Sequence, residues 1–157
     1  MRNWSRRDAI GVGAAAVGAL ALSGVARAAA KPAMKTYRDP GCGCCHKWVD
    51  HATAAGYPVS VVATREMQKV KATLQVPDDL MSCHTTTVAG YVVEGHVPLA
   101  AVDKLISTKP AGVIGIAVPG MPAGSPGMEA HGGHAGHAPS FKVYAFKKDG
   151  AKSEFRF

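Results

Sequence analysis

Lys35-Thr36-Tyr37-Arg38-Asp39-Pro40-Gly41-Cys42-Gly43-Cys44-Cys45-His46 is the stretch on which the architecture turns. Lys35 to Arg38 reads as a short strand entering a Pro-Gly turn, and three of the chain's four cysteines follow within four positions. A helix is expected from about Cys44 to Ala55, because Trp48, Ala52 and Ala55 fall at the i, i+4, i+7 spacing of a buried stripe. Gly56 suits its end.

Val59 to Ala63 is an apolar, β-branched run bounded by Pro58 and Thr64, the pattern of a buried strand. Thr64 can cap a second helix with Met67, Val70 and Leu74 on one face, and Pro77 stops it. After Met81-Ser82-Cys83-His84, residues Thr85 to Val93 read as one strand, turned by Glu94-Gly95. Pro98 suits the first position of a third helix carrying Val102, Leu105 and Ile106. Val113 to Val118 is a short apolar run, and the Gly/Pro-rich stretch from Pro119 to Met128 is a loop by composition. Phe141 to Phe146, the Asp149-Gly150 turn and Lys152 to Phe157 form a terminal hairpin. The resulting class is α/β (α+β): a central mixed sheet with flanking helices and a C-terminal β-hairpin. Within that class, thioredoxin-like folds place cysteines between the first strand and first helix, and Cys42 and Cys45 have the C-x-x-C spacing.

The chain has 157 residues and a formal charge of +7, sized for one domain. Its start carries Arg6-Arg7 after a serine, an apolar run from Gly11 to Val25, and Ala26-Arg27-Ala28. These are the parts of an export signal over residues 1–28, of twin-arginine type. An uncleaved anchor is the competing reading of the same run. Cleavage near Ala28 removes four arginines and one aspartate, which lowers the charge from +7 to +4. A mildly basic chain without a Lys/Arg cluster gives nucleic-acid binding no support. The remaining domain, residues 34–157, would be exported, with no stable membrane insertion once the signal is gone.

Export places the thiols in an oxidising compartment, where paired disulfides are the default. Cys42, Cys44 and Cys45 are too crowded for two ordinary structural bridges. At a helix start, unpaired N–H groups and the helix dipole favour their thiolates. Cys83, from a different turn, can complete the site. Thiolates select soft metals, with copper(I) and zinc foremost. Zinc favours a closed tetrahedron built from paired knuckles. Here the ligands fall three and one, and adjacent Cys44 and Cys45 suit bridging between several copper(I) ions. His84, beside Cys83, is the better histidine ligand, and His96 reads equally as ligand or turn residue. His46 is either a ligand or an exposed helix residue, and His51 belongs to the helix surface. Met121 and Met128 in the Gly/Pro loop are either thioether ligands or apolar pins over the core, whereas Met81 belongs to the core. His131, His134 and His137, in the low-complexity stretch 129–138, read as weak metal capture or as a solvated linker.

Four motifs together carry a family resemblance: Cys42-Gly43-Cys44-Cys45, Ser82-Cys83-His84-Thr85, Gly90-Tyr91-Val92-Val93-Glu94-Gly95-His96-Val97-Pro98, and Val118-Pro119-Gly120-Met121-Pro122. In that order the sequence closely resembles the CopG-type copper-resistance proteins, long filed as a domain of unknown function, over about Met34 to Phe157. The resemblance implies a thioredoxin-like fold, a periplasmic setting, cysteine-bound copper and interconversion of copper(I) and copper(II). By motif it carries Cys42, Cys44, Cys45, Cys83, His84, His96 and Met121 into the metal site. The His131–His137 tract is outside it.

Three functions follow. The first is a periplasmic copper-binding protein for copper tolerance, holding more than one copper ion and acting as a copper oxidoreductase. Its partners would be copper ions, other periplasmic copper-handling proteins and an electron donor. The second is a thiol–disulfide oxidoreductase using Cys42 and Cys45, although Cys44 would trap its disulfide by exchange. The third is a zinc-stabilised module, disfavoured because a chain of this size builds an adequate core without metal.

Overall fold

The computed structural model describes residues 30–129 and 141–157. The export signal and the His131, His134 and His137 tract lie outside these residues. The elements are β1 (Met34–Arg38), α1 (Gly43–Ala54), β2 (Val59–Ala63), α2 (Met67–Thr73), a 3₁₀ turn (Asp78–Leu80), β3 (His84–Val88), β4 (Tyr91–Glu94), α3 (Leu99–Thr108), β5 (Val113–Ala117), β6 (Tyr144–Lys147) and β7 (Lys152–Glu154). The seven strands form one mixed sheet in the order β2-β1-β3-β4-β5-β6-β7. The β1–β2 and β4–β5 pairs are parallel and the others antiparallel. A mixed α/β class is therefore correct, and the βαβ start followed by antiparallel β3 and β4 is compatible with the thioredoxin-like expectation. Among the described residues no helix is long and apolar enough to cross a membrane.

Alternation along the strands builds two cores, because successive side chains leave opposite faces of a sheet. Val93, Ile116 and Ala145 face one side, where Trp48 and Ala52 of α1 pack with Ala101, Val102 and Leu105 of α3. Val92, Ala117 and Phe146 face the other, beneath Val76, Leu80 and the partly buried Leu74 and Met81. The sheet is thus covered on both faces.

Four sequence expectations need correction. Thr85 to Val93 is a hairpin of two strands, turning at Ala89 (φ 49°) and Gly90 (φ 83°). Two consecutive positive φ values suit the tight turn whose twist matches its strands. Alanine rarely occupies the first of these positions, so composition did not mark the turn. Val59 to Ala63 is an edge strand with half-buried and exposed residues, Val61 among the latter, rather than a buried strand. Glu94 ends β4 with a fully buried side chain, so the turn begins at Gly95. Thr64 does not cap α2: Glu66 holds the N-cap position without a side-chain cap, and the Thr64 hydroxyl accepts the Glu66 N–H (3.1 Å) in the turn before it.

Candidate metal centre

Four chain segments meet at one end of the sheet. Arg38, the last residue of β1, pairs with His84, the first of β3; Thr85 pairs with Glu94, and Glu94 with Ala117. The β1–α1 turn, the Ser82-Cys83 turn, the Gly95-His96 turn and the Pro119–Glu129 loop therefore all emerge together. Register alone brings residues far apart in sequence to one place.

In the first segment, the Arg38 guanidinium donates to the carbonyls of Asp39 (2.9 Å) and Pro40 (3.2 Å), fixing the turn. Cys42 occupies the N-cap position of α1 without a side-chain cap. Cys42 and Cys45 are joined in a disulfide, and Cys44 and Cys83 are free. Helical geometry separates the two neighbouring cysteines: Cys45 is fully buried, whereas Cys44 is half-buried and faces the gap above Cys83. Cys44 Sγ lies 3.6 Å from Cys42 Sγ, 3.9 Å from Cys83 Sγ and 4.0 Å from Met121 Sδ. All four cysteine sulfurs fall within 4.8 Å of one another.

Cys83 joins this group to the imidazoles. His96 Nδ1–H donates to the Pro126 carbonyl (2.7 Å), which leaves its Nε2 as the unprotonated nitrogen, 2.9 Å from Cys83 Sγ. His84 turns Nδ1 toward the same sulfur at 3.4 Å, and its buried Nε2 has no partner among the described residues. The ligand atoms of Cys83, His84 and His96 also lie within 4.8 Å of one another. Trp48 packs on His84 with ring centroids 4.9 Å apart. Burial holds His84 well below the usual imidazole range, reinforced by His96 and Lys71 nearby. Burial also lowers His96, against the opposing pull of its bond to Pro126. Both rings are thus neutral at physiological pH and keep a lone pair. Burial pushes the Cys83 thiol up to about 12, and neighbouring Cys44 adds to the rise. A metal entering here must displace that proton, as metal binding to thiols generally does.

The Pro119–Glu129 loop roofs the site. Gly120 N–H donates to Met81 O (3.1 Å), and the Ser82 hydroxyl donates to the Gly120 carbonyl, which sets Met121 beside Cys44. Gly127 (φ +88°) lies flat on α1: a Cβ there would sit 2.9 Å from Trp48 N and 3.0 Å from Cys44 O. Met121 is 53% exposed at the rim, whereas Met128 is buried.

Of the residues singled out in the sequence, Cys42, Cys44, Cys45, Cys83, His84, His96 and Met121 are brought together. His46 is exposed, and His51 pairs with Glu129 (2.7 Å) on the helix surface. Met81 packs against the second core, partly buried. Sequence reasoning missed Glu94, Lys71, Ser82 and Pro126. Lys71 carried a signal, since it lies four residues after Met67 and three before Leu74, on the inward stripe of α2; it is the buried residue of that helix. Pro126 acts through its carbonyl, which no side-chain pattern reveals.

A family model described as a protein of unknown function, DUF411, matches residues 80–128. No curated protein matches. Two solved structures titled copper resistance protein CopG, form 2 and form 1, match with a TM-score of 0.71 and 39% identity. Each match covers 80% of this chain, and 97% and 96% of the respective solved chains. With that identity over most of both chains, and four cysteine sulfurs converging where the sequence motifs place them, the chain belongs to the CopG family of copper resistance proteins.

Proposed function

We propose that this chain is a periplasmic copper-binding protein that serves copper resistance by holding copper ions in its cysteine cluster and interconverting copper(I) and copper(II). The convergence of four cysteine sulfurs within 4.8 Å carries this reading. Thiolates at that separation can bridge neighbouring copper(I) ions, and soft sulfur ligands favour that oxidation state. Cys42, Cys44, Cys45 and Cys83 are the proposed thiolate ligands, with Met121 as a thioether at the rim. His96 Nε2 and His84 add nitrogen donors on the inner side, where copper(II) is better accommodated. In the disulfide-bonded form Cys42 and Cys45 offer no thiolate, so full loading requires the reduced chain. Oxidising that dithiol to the disulfide releases two electrons and two protons, enough to convert two copper(II) ions to copper(I). The twin-arginine pattern of the leader supports export.

The experiment is metal content and thiol count on protein prepared anaerobically from the periplasm. Several copper ions per chain, and four titratable thiols after metal removal under reducing conditions, are expected. A metal-free protein that refuses copper(I) after reduction overturns the reading. It would favour a thiol–disulfide oxidoreductase, for which the Cys42–Cys45 bond is the supporting observation. Against that alternative, Cys44 Sγ is 3.6 Å from Cys42 Sγ, placed to intercept any mixed disulfide.

A further inference from the structure

A lysine and a glutamate are buried together behind the site, Lys71 at 2% exposure and Glu94 at 0%. Both carboxylate oxygens of Glu94 are engaged. Oε1 accepts the Ser82 N–H (2.6 Å) and the Lys71 ammonium, and Oε2 accepts the Thr85 hydroxyl (2.6 Å). Lys71 Nζ also donates to Thr85 Oγ1 (3.0 Å). Ser82 and Thr85 are the residues immediately before and after Cys83-His84. One carboxylate therefore grips both ends of the dipeptide that supplies a thiol and an imidazole to the site. The adjoining backbone continues the grip, with Gly95 N–H donating to the His84 carbonyl (2.9 Å).

A buried ion pair loses so much hydration that well-packed apolar residues of similar volume are often as stable or more so. Groups behind metal ligands commonly orient them. We infer that Glu94, held by Lys71, is a positioning residue that fixes Cys83 Sγ and the His84 ring for copper. This rests on the proposed copper site but makes a separate claim about the turn itself.

The test compares the wild-type chain with two double variants, Lys71→Met with Glu94→Gln and Lys71→Met with Glu94→Leu. The first is nearly isosteric and keeps one acceptor for Ser82; the second removes the acceptor. Neither leaves a lone buried charge. Two readouts are taken on folded protein: the rate at which an alkylating reagent labels each cysteine of the reduced, metal-free chain, and the rate at which a copper(I) chelator strips copper(I). The expected result is Cys83 labelling changed about threefold in the glutamine pair and about tenfold in the leucine pair, with Cys42 and Cys44 unchanged. Copper(I) loss should quicken in step, toward the roughly tenfold to hundredfold range typical of groups that orient metal ligands. Wild-type Cys83 labelling and copper(I) loss in whichever pair folds overturns the inference. If wild-type protein retains no copper(I) but Cys83 labelling still changes in the variants, the copper reading fails and the positioning role stands.

Discussion

Cys83 Sγ lies 2.9 Å from His96 Nε2, and the opposite nitrogen of that imidazole is tied to the Pro126 carbonyl. The backbone of the roofing loop thereby selects the tautomer that turns a lone pair toward the sulfur. With Cys44 Sγ 3.9 Å away on its exposed side, Cys83 is the one residue shared by the thiol group and the imidazole group.

Cys44→Ser separates the two functional readings. Cys44 is unpaired and central to the sulfur group, so its loss should lower the copper(I) bound per chain by at least one ion. Disulfide exchange by Cys42 and Cys45 should persist or improve, because the competing thiol is gone. Copper analysis and an insulin-type disulfide-reduction assay on the same preparation measure both. An unchanged copper content would rule out a bridging Cys44.

Gly127→Ala should lift the roof. The added Cβ has nowhere to go between Trp48 N and Cys44 O, and the positive φ disfavours it independently. A loss of about 1–3 kcal/mol is expected from strain of this kind. It should appear as a lower midpoint in chemical denaturation, together with faster loss of copper(I) to a chelator, since His96 loses its Pro126 support.

Trp48→Phe keeps an aromatic ring against His84 but removes the indole N–H bond to the Val97 carbonyl (2.9 Å). Leaving that buried acceptor unpaired should cost about 1–3 kcal/mol. In the unsubstituted protein the same contact makes Trp48 a reporter. Copper binding should quench its fluorescence in proportion to loading, and the Trp48→Phe variant should lose that part of the signal.

Away from the site, Tyr57 donates to Asp103 (2.5 Å), which also takes Lys31 (2.8 Å). Burial, then the Asp103 bond and its charge, hold the Tyr57 hydroxyl well above the ordinary phenol range. Between the two values the folded state keeps a proton that the unfolded state has lost, so stability falls as pH rises beyond about 10. The Lys31 and Tyr57 bonds outweigh burial at Asp103 and hold its carboxyl below the usual carboxylate value, so that contribution is lost as pH falls through the acid range. Thermal unfolding across pH should show the alkaline loss in the metal-free protein and a flatter alkaline limb in Tyr57→Phe.

Local patterns along the chain are enough to read the class of structure and the chemical character of the site. Strand and helix periods are local properties, as are three cysteines at a helix start and the thiolate-rich donor set. The Trp48–Ala52 stripe and the terminal hairpin were legible for that reason. The Ala89-Gly90 turn was not, because its conformation is imposed by the pairing of the strands it joins. Which cysteines are bonded and which are free, and which nitrogen of His96 faces the sulfur, depends on the folded arrangement. Those outcomes depend on distances between segments whose register is set by the whole sheet. Glu94 shows the division most clearly. In the sequence it is an acid at the end of an apolar strand, next to a turn-forming glycine, and it reads as part of the turn. In the fold, Lys71 arrives from a helix 23 residues earlier in the chain and neutralises it inside the protein, where it holds the Cys83 turn in place.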